Sequence, residues 1–410
     1  MNSFEEKIKN WLGRGFKLFL IILPWSALYL VRIGSTSFDS VVIHLTAVLL
    51  LGIIGTALFL FRPKFNYWLL GFIGLFFLLG IFQAEDWVLA LQQIIWLSLG
   101  AGLGWLFTTD LLSKTEQIKF IVIGAILPTL LGLWQFFVQS SFTSAWLGLS
   151  FIPSSAAGSP VIVSQSGRWL RAFGTLPHPN IFGGYLVAIL ALIFARASES
   201  VKSSQENWLW RLAVVFFTAG LVVSFSRSAL LAWILLVVFY HYRVFKNEHG
   251  SELALQIFIS SLTAILALTL TWSIWVGRLG QEVASQNEVA SISERLSGNR
   301  LAIKIIKGDW LSGVGPGNYV LALHRVAPAL KPWELTPVHN VPLLVLAEWG
   351  IWGIVALVWL GYFLRARVIF LLPILLFDHY FYSLWPGILV GIILILSTVY
   401  THRGLTKPKK

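Results

Sequence analysis

Cysteine is absent from the 410 residues, which excludes disulfides and thiolate metal sites. Charge is scarce too. Asp, Glu, Lys and Arg make up 12% of the chain, where a soluble domain holds about 25%. Acidic residues are the scarcer sign, 18 against 30 Lys plus Arg, leaving a net charge of +12. What is abundant is apolar: 57% hydrophobic residues, including 20 Trp and 30 Phe. No soluble core hides that much apolar surface, so the solvent of this chain is lipid. Amphipathic aromatic rings suit such a chain because they anchor helix ends at the interface. A cleavable signal peptide is not expected. The first apolar run is followed by more runs and by no clear small-residue cleavage site.

Apolar runs long enough for membrane spans lie near 16–31, 41–61, 67–83, 87–107, 118–138, 180–195, 209–224, 228–242, 253–276, 341–364, 368–380 and 384–400. The reading is an all-α, polytopic membrane bundle of about 12 spans, a single integral membrane domain over 1–410. The last two runs are short enough to form one re-entrant hairpin. With the N-terminus inside, 19 of the 30 Lys and Arg residues fall in inside segments and 11 outside. Every inside segment is basic, which is the positive-inside pattern. The positive charge is therefore mostly a topology signal, and a nucleic-acid partner is not expected. The tail THRGLTKPKK reads as a basic cytoplasmic anchor.

Two outside segments are long, about 139–179 and 277–340, and a long ordered loop is usually functional. In the second, residues 299–307 look helical. Leu301, Ala302, Ile305 and Ile306 form its apolar stripe, while Arg300, Lys304 and Lys307 share the other face. Gly308 can end that helix. GVGPGN at 313–318 reads as a turn more readily than as a phosphate loop. His339-Asn340 stands where the loop meets the next span. Asn340 is a good N-cap, and Pro342 is tolerated in the first turn. The helix start and the nearby arginines favour the neutral imidazole that a general base needs, so His339 is the candidate base. Arg227 sits in SFSRS between two spans with almost no polar loop, which points to a polar cavity. Arg171 precedes AFGTLPHPNIFGG, where Asn180 can cap the following span. Glu348 lies two turns inside its span and needs a partner, with Arg227 or Arg300 the natural candidates.

Together these pieces resemble the O-antigen ligase family, whose superfamily includes O-antigen polymerases and protein O-oligosaccharyltransferases. His339-Asn340, nine residues, Gly350, two residues and Gly353 have the spacing of the family's signature. The SFSRS turn with Arg227, and Arg300 ahead of GDWLSGVGPGNY, are similar to the family's arginine segments. The resemblance implies a glycosyltransferase of the GT-C type. It implies an undecaprenyl-pyrophosphate-linked glycan as donor, and a hydroxyl on lipid A-core or another surface molecule as acceptor. His339, Arg227 and Arg300 would be catalytic, with Arg171, Asn340, Lys304 and Glu348 binding substrate.

Arginine forks suit the pyrophosphate leaving group. The only adjacent acidic pair outside is Glu85-Asp86, far in sequence from the other motifs, so neither a metal nor another cofactor is expected. One base and no obvious nucleophile predict direct displacement with inversion. The setting expected is the cytoplasmic membrane, both termini inside and the site on the outer face. A polymerase or protein ligase of the same superfamily is the alternative within the class. A transporter or glycan flippase is the alternative outside it, disfavoured because the outside charges gather at one membrane edge rather than at the midplane.

Overall fold

The computed structural model describes residues 3–25, 29–34, 38–63, 66–199, 207–246, 250–278, 286–364 and 369–403. Lys64, Lys202, Arg365, Arg367, part of the 277–340 loop and the basic tail from residue 404 lie outside the described residues.

Among the described residues there are sixteen α-helices and two β-hairpins. The first helix, α1 (Ser3–Ile22), leads into the hairpin of β1 (Tyr29–Ile33) and β2 (Val41–His44). Then come α2 (Leu45–Phe61), α3 (Tyr67–Gln83), α4 (Trp87–Leu106) and α5 (Lys114–Val138). A second hairpin, β3 (Val161–Ser164) and β4 (Gly167–Leu170), precedes α6 (Pro179–Glu199), α7 (Asn207–Val223), α8 (Arg227–Phe245), α9 (Ser251–Leu270) and α10 (Trp272–Arg278). The segment before the next long helix holds α11 (Gln286–Gly308) and α12 (Tyr319–Val326). The chain closes with α13 (Val341–Leu364), α14 (Leu372–Phe377), α15 (Tyr380–Ser383) and α16 (Trp385–Arg403). Six helices, α4, α5, α6, α8, α9 and α13, are long and apolar enough to cross a membrane. Four shorter apolar helices, α2, α3, α7 and α16, join them. The protein is an all-α polytopic membrane protein.

Ten of the twelve expected runs are apolar helices, and two differ for a local reason. The run at 16–31 is not one span: α1 ends at Ile22, and Pro24 turns the chain through a short 3-10 segment, Leu23–Trp25, before β1. The run at 368–380 is broken into α14 and α15 around Asp378-His379.

Helix α6 is the hub. It is apolar all round and almost wholly buried, the pattern of a helix surrounded by others. It packs against α5, α7, α8, α9 and α16. Its glycines make room near its N-terminus: a Cβ on Gly183 would meet Ala229 and Ser224, and one on Gly184 would meet the Tyr380 hydroxyl. A second core forms around α11, α12 and α13, with Ala302, Ile305, Tyr319, Leu344 and Trp349 at its centre. The apolar stripe read at 301–306 is the face that faces this core, and α11 ends at Gly308 as expected. Leu375 of α14 and Leu97 of α4 each pack against both cores, so these two helices form their seam.

Helix α13 is not a plain span. Gly350 adopts φ 60° and ψ −155°, which breaks the helix. The break leaves carbonyls and an N–H without helical partners, and residues 310–315 supply replacements. Val314 N donates to Ala347 O at 2.9 Å, Gly315 N to Glu348 O at 3.0 Å, and Ile351 N to Trp310 O at 3.0 Å. In lipid a broken helix survives only where protein satisfies the freed groups. The loop reaches that close because Gly313, Gly315 and Gly317 all have positive φ.

Candidate active site

The site is assembled from helix starts and one helix break. The turn that presents Arg227 is the tightest piece. Phe225 is held at φ 49°, a left-handed conformation that costs a bulky residue about 1–3 kcal/mol. Two arginines grip successive carbonyls of this turn. Arg171 Nε donates to Ser224 O at 3.0 Å, and Arg278 Nε donates to Phe225 O at 3.2 Å. Ser226 then caps α8 by accepting from Ala229 N. Arg227 follows as the first helical residue, half-buried, with its Nη1 donating to Arg278 O at 3.4 Å.

Beside the turn lies a cavity of about 240 Å³ lined by Asn180, Arg227, Ser228, Leu231, Arg278, Ile292, Arg295 and Phe377. Three guanidinium groups line it, and among the described residues no acidic side chain does. It is smaller than the roughly 300–1,000 Å³ of a site enclosing a whole drug-sized ligand, so its size suits a charged head group.

A line of hydrogen bonds runs from this turn to Asp378, which stands beside the candidate base. Arg171 Nη2 donates to Asn180 Oδ1 at 2.6 Å, and Asn180 Nδ2 donates to Asp378 Oδ2 at 2.7 Å. The other carboxylate oxygen, Asp378 Oδ1, lies 3.7 Å from His339 Nδ1 and accepts from His379 N at 3.2 Å. Asp378 and His379 are buried, while His339 is partly exposed. Burial on its own would raise the Asp378 carboxyl; the imidazoles of His339, His379 and His178 around it outweigh that and hold it below the usual carboxylate range. The His339 and His379 rings lie 4.9 Å apart, and His379 Nδ1 is hydrogen-bonded to Ser383 Oγ.

The remaining expected site residues are placed as follows. Asn340 caps α13, its Oδ1 accepting from Leu343 N at 2.9 Å, with Pro342 in the first turn; its Nδ2 donates to Leu376 O. Arg171 is buried and acts as a strut between two loops. Glu348 does not pair with Arg227 or Arg300. Its carboxylate accepts from Tyr382 Oη, Gly317 N and Tyr319 N, so it fastens the GVGPGN loop to α13. Arg300 is exposed and is not among the residues lining the arginine cavity. On a helix it lies about 140° around from Arg295, the residue that does line it. Lys304 Nζ donates to Val326 O at 3.1 Å and closes the end of α12. The acidic pair is also structural: Asp86 caps α4 through Val88 N and Leu89 N, and Glu85 pairs with Arg325 at 3.3 Å.

Four groups were not singled out from the sequence: Arg278, Arg295, Asp378 and His379. The last two carried a signal, since two ionisable residues within an apolar run are functional candidates by default. The two arginines carried none that separates them from other loop cations.

The architecture and the site define a polytopic membrane protein with a cationic cavity beside a histidine–carboxylate pair. Residues 212–358 match the family model described as O-antigen ligase, so the chain carries an O-antigen ligase family segment, which supports a transferase of that superfamily. The segment includes Arg227, Arg278, Arg295 and His339, while Arg171, Asn180 and Asp378 lie outside it. No curated protein and no solved structure matches the chain.

Proposed function

We propose that the chain is an inverting glycosyltransferase of the O-antigen ligase kind. It moves a glycan from undecaprenyl pyrophosphate to an acceptor hydroxyl, on lipid A-core or another surface molecule, at the outer face of the cytoplasmic membrane. The observation that carries this reading is the hydrogen-bonded line joining the arginine cavity to the His339–Asp378 pair.

The donor's pyrophosphate occupies the cavity of Arg227, Arg278 and Arg295, where planar forks meet phosphate oxygens. Its lipid chain stays in the bilayer beside the outer ends of the helices. The acceptor hydroxyl attacks the sugar carbon from the side opposite the pyrophosphate. One C–O bond forms as the sugar–phosphate C–O bond breaks, and the hydroxyl proton passes to His339 Nε2. Asp378 faces Nδ1, accepts its N–H and thereby keeps Nε2 unprotonated and ready; the 3.7 Å gap closes to a hydrogen bond when substrate orders the site. The leaving charge develops against the arginines, which stabilise it without help from a metal. A single displacement inverts the anomeric carbon. Arg171 and Asn180 hold the two halves in register. Arg300 and Lys304, on the outer face of α11, form a basic rim that attracts the anionic donor.

The test is transfer by the purified full-length protein in lipid nanodiscs, in excess EDTA, with a lipid-linked donor and three acceptors supplied separately: lipid A-core, a second lipid-linked glycan and an acceptor protein. Transfer to lipid A-core with inversion is the expected result. Transfer confined to the second glycan or to protein moves the chain to the polymerase or protein-ligase branch. No transfer to any acceptor, or retention of configuration, overturns the reading.

A further inference from the structure

His339, Asp378 and His379 offer one nitrogen or oxygen each, all within 4.8 Å of one another. A tetrahedral site with bonds of about 2.0–2.2 Å sets its ligand atoms about 3.4 Å apart. One edge of this triangle, His339 Nδ1 to Asp378 Oδ1, is 3.7 Å and none exceeds 4.8 Å, so closure of at most about 1.4 Å on an edge would complete it. Two further features mark a built site. His339 Nδ1 is buried and has no hydrogen-bond partner, although it belongs to a side chain that is partly open. The other two groups are oriented from behind: Asp378 Oδ2 by Asn180 Nδ2, and the His379 ring by Ser383 Oγ. Such outer partners are what fix the ligands of a metal centre.

We infer that His339, Asp378 and His379 form a binding site for a divalent cation of the Zn²⁺ class, and that the bound ion shuts the transferase off. The donor set of two imidazoles and one carboxylate matches zinc rather than magnesium or calcium, which prefer all-oxygen shells. Three protein ligands leave a fourth position for water. The inhibitory consequence rests on the transferase reading given above and follows from the tautomer. A cation on His339 Nδ1 takes that lone pair and leaves the hydrogen on Nε2. The ring nitrogen facing the acceptor is then a donor and cannot receive the hydroxyl proton. The ion also occupies Asp378, which can no longer steer the histidine. The same three residues thus serve as a base in the metal-free protein and as a lock in the metal-loaded one.

The experiment uses the full-length protein in detergent, stripped with EDTA and dialysed. Zn²⁺ content is measured by mass spectrometry after equilibration, and Co²⁺ in its place reports coordination by visible absorption. One ion per chain is expected, with the intense visible bands of a four-coordinate site. His379→Ala is expected to weaken binding at least tenfold, and His324→Ala, an exposed histidine elsewhere, to leave it unchanged. Transfer assayed in parallel should fall at least tenfold with one equivalent of Zn²⁺ and return with EDTA. Absence of stoichiometric binding to the wild-type protein overturns the inference while leaving the transferase reading intact. Stoichiometric binding that survives His379→Ala overturns the assigned ligands. Binding that accelerates transfer overturns the inhibitory half. A protein that binds one ion but transfers nothing upholds the site and counts instead against the transferase.

Discussion

Replacing Asp378 by Asn removes no volume, yet it should disable the base, and the hydrogen-bond line says why. Arg171 can only donate, so the oxygen it meets at 2.6 Å must be Asn180 Oδ1. Asn180 therefore turns its NH₂ toward position 378, at 2.7 Å. An amide at 378 has two choices. With its oxygen toward Asn180 it keeps that short bond, and its NH₂ faces His339; the loss is the longer 3.2 Å bond from His379 N. With its NH₂ toward Asn180 two donors meet at 2.7 Å in a buried place, which forfeits the stronger bond and adds repulsion. The first choice wins. An NH₂ then points at His339 Nδ1, which must accept, so the ring hydrogen sits on Nε2 and no lone pair faces the acceptor. Turnover should fall by about 10² to 10⁴, the range for loss of a general base, with donor binding little changed. In barrier terms that is about 2.7–5.4 kcal/mol. Initial rates of transfer and donor affinity, measured on the same nanodisc preparation, separate the two quantities. The pair Asp378→Asn with Asn180→Asp supplies the decisive control. The carboxylate then standing at position 180 accepts from Arg171 and from the new amide, whose oxygen turns back to His339 and restores the Nδ1–H tautomer. The double variant should recover at least about tenfold over Asp378→Asn. Near-normal turnover by the single variant, or no recovery by the double one, would refute the reasoning.

Arg227→Lys should cut donor affinity and turnover together by about 10–100-fold, because a point charge replaces a fork worth about 1.5–3 kcal/mol; wild-type kinetics for this variant would remove Arg227 from the clamp. Gly350→Ala places a Cβ against Leu311 O at φ 60° and ψ −155°, so folded yield and Tm in detergent should drop, by at least about 1–3 kcal/mol of backbone strain; an unshifted Tm would mean that the helix break is not required. Since the native chain has no cysteine, Ser297→Cys and Thr115→Cys can report the orientation. An impermeant thiol reagent on intact cells should label the first and not the second, and the reverse pattern would invert the topology.

Much of the fold was legible because its solvent is lipid. Apolar runs had to become helices, and ten did so where hydropathy put them. What hydropathy could not see were the breaks. Pro24, Gly350 and Asp378-His379 interrupt runs that read as continuous, and each interruption is made tolerable by partners distant in sequence. The site followed the same divide. His339 and Arg227 were readable because each stands at a helix start, where a local motif announces itself. Asn340 was readable as a cap and is one. Glu348 was correctly seen to need a partner, but the partner is the Tyr382 hydroxyl with two loop amides, a choice fixed by how α13 and the GVGPGN loop pack. Arg300 drew notice through the basic face it shares with Lys304, whereas the cavity takes Arg295 from another face of the same helix. Helical periodicity names the faces of a helix; packing decides which one meets the site.

The location of the site follows from the same physics that makes the bundle. A helix crossing lipid satisfies its own backbone everywhere except at its ends and breaks, where four N–H or four carbonyl groups lack partners. Those are the positions at which such a protein must already place polar side chains. Here the starts of α6, α8 and α13 and the α14–α15 break each place a polar residue at the site: Asn180 and Asp378 in the hydrogen-bonded line, Arg227 beside its gripped turn, and His339 facing Asp378. Arg171 and Arg278 first stabilise the turn by binding its carbonyls, and by doing so they bring positive charge to the cavity edge. The helix starts add their N-terminal dipoles, which favour an anion in the same place. A polar site in this chain therefore needs few residues devoted to it alone. On the proposed function, the groups that close the fold at its breaks are also those that would meet a pyrophosphate and orient a base, which is why substitutions such as Arg171→Ala should lower stability and transfer together, whereas Arg295→Ala, outside the turn, should lower transfer alone.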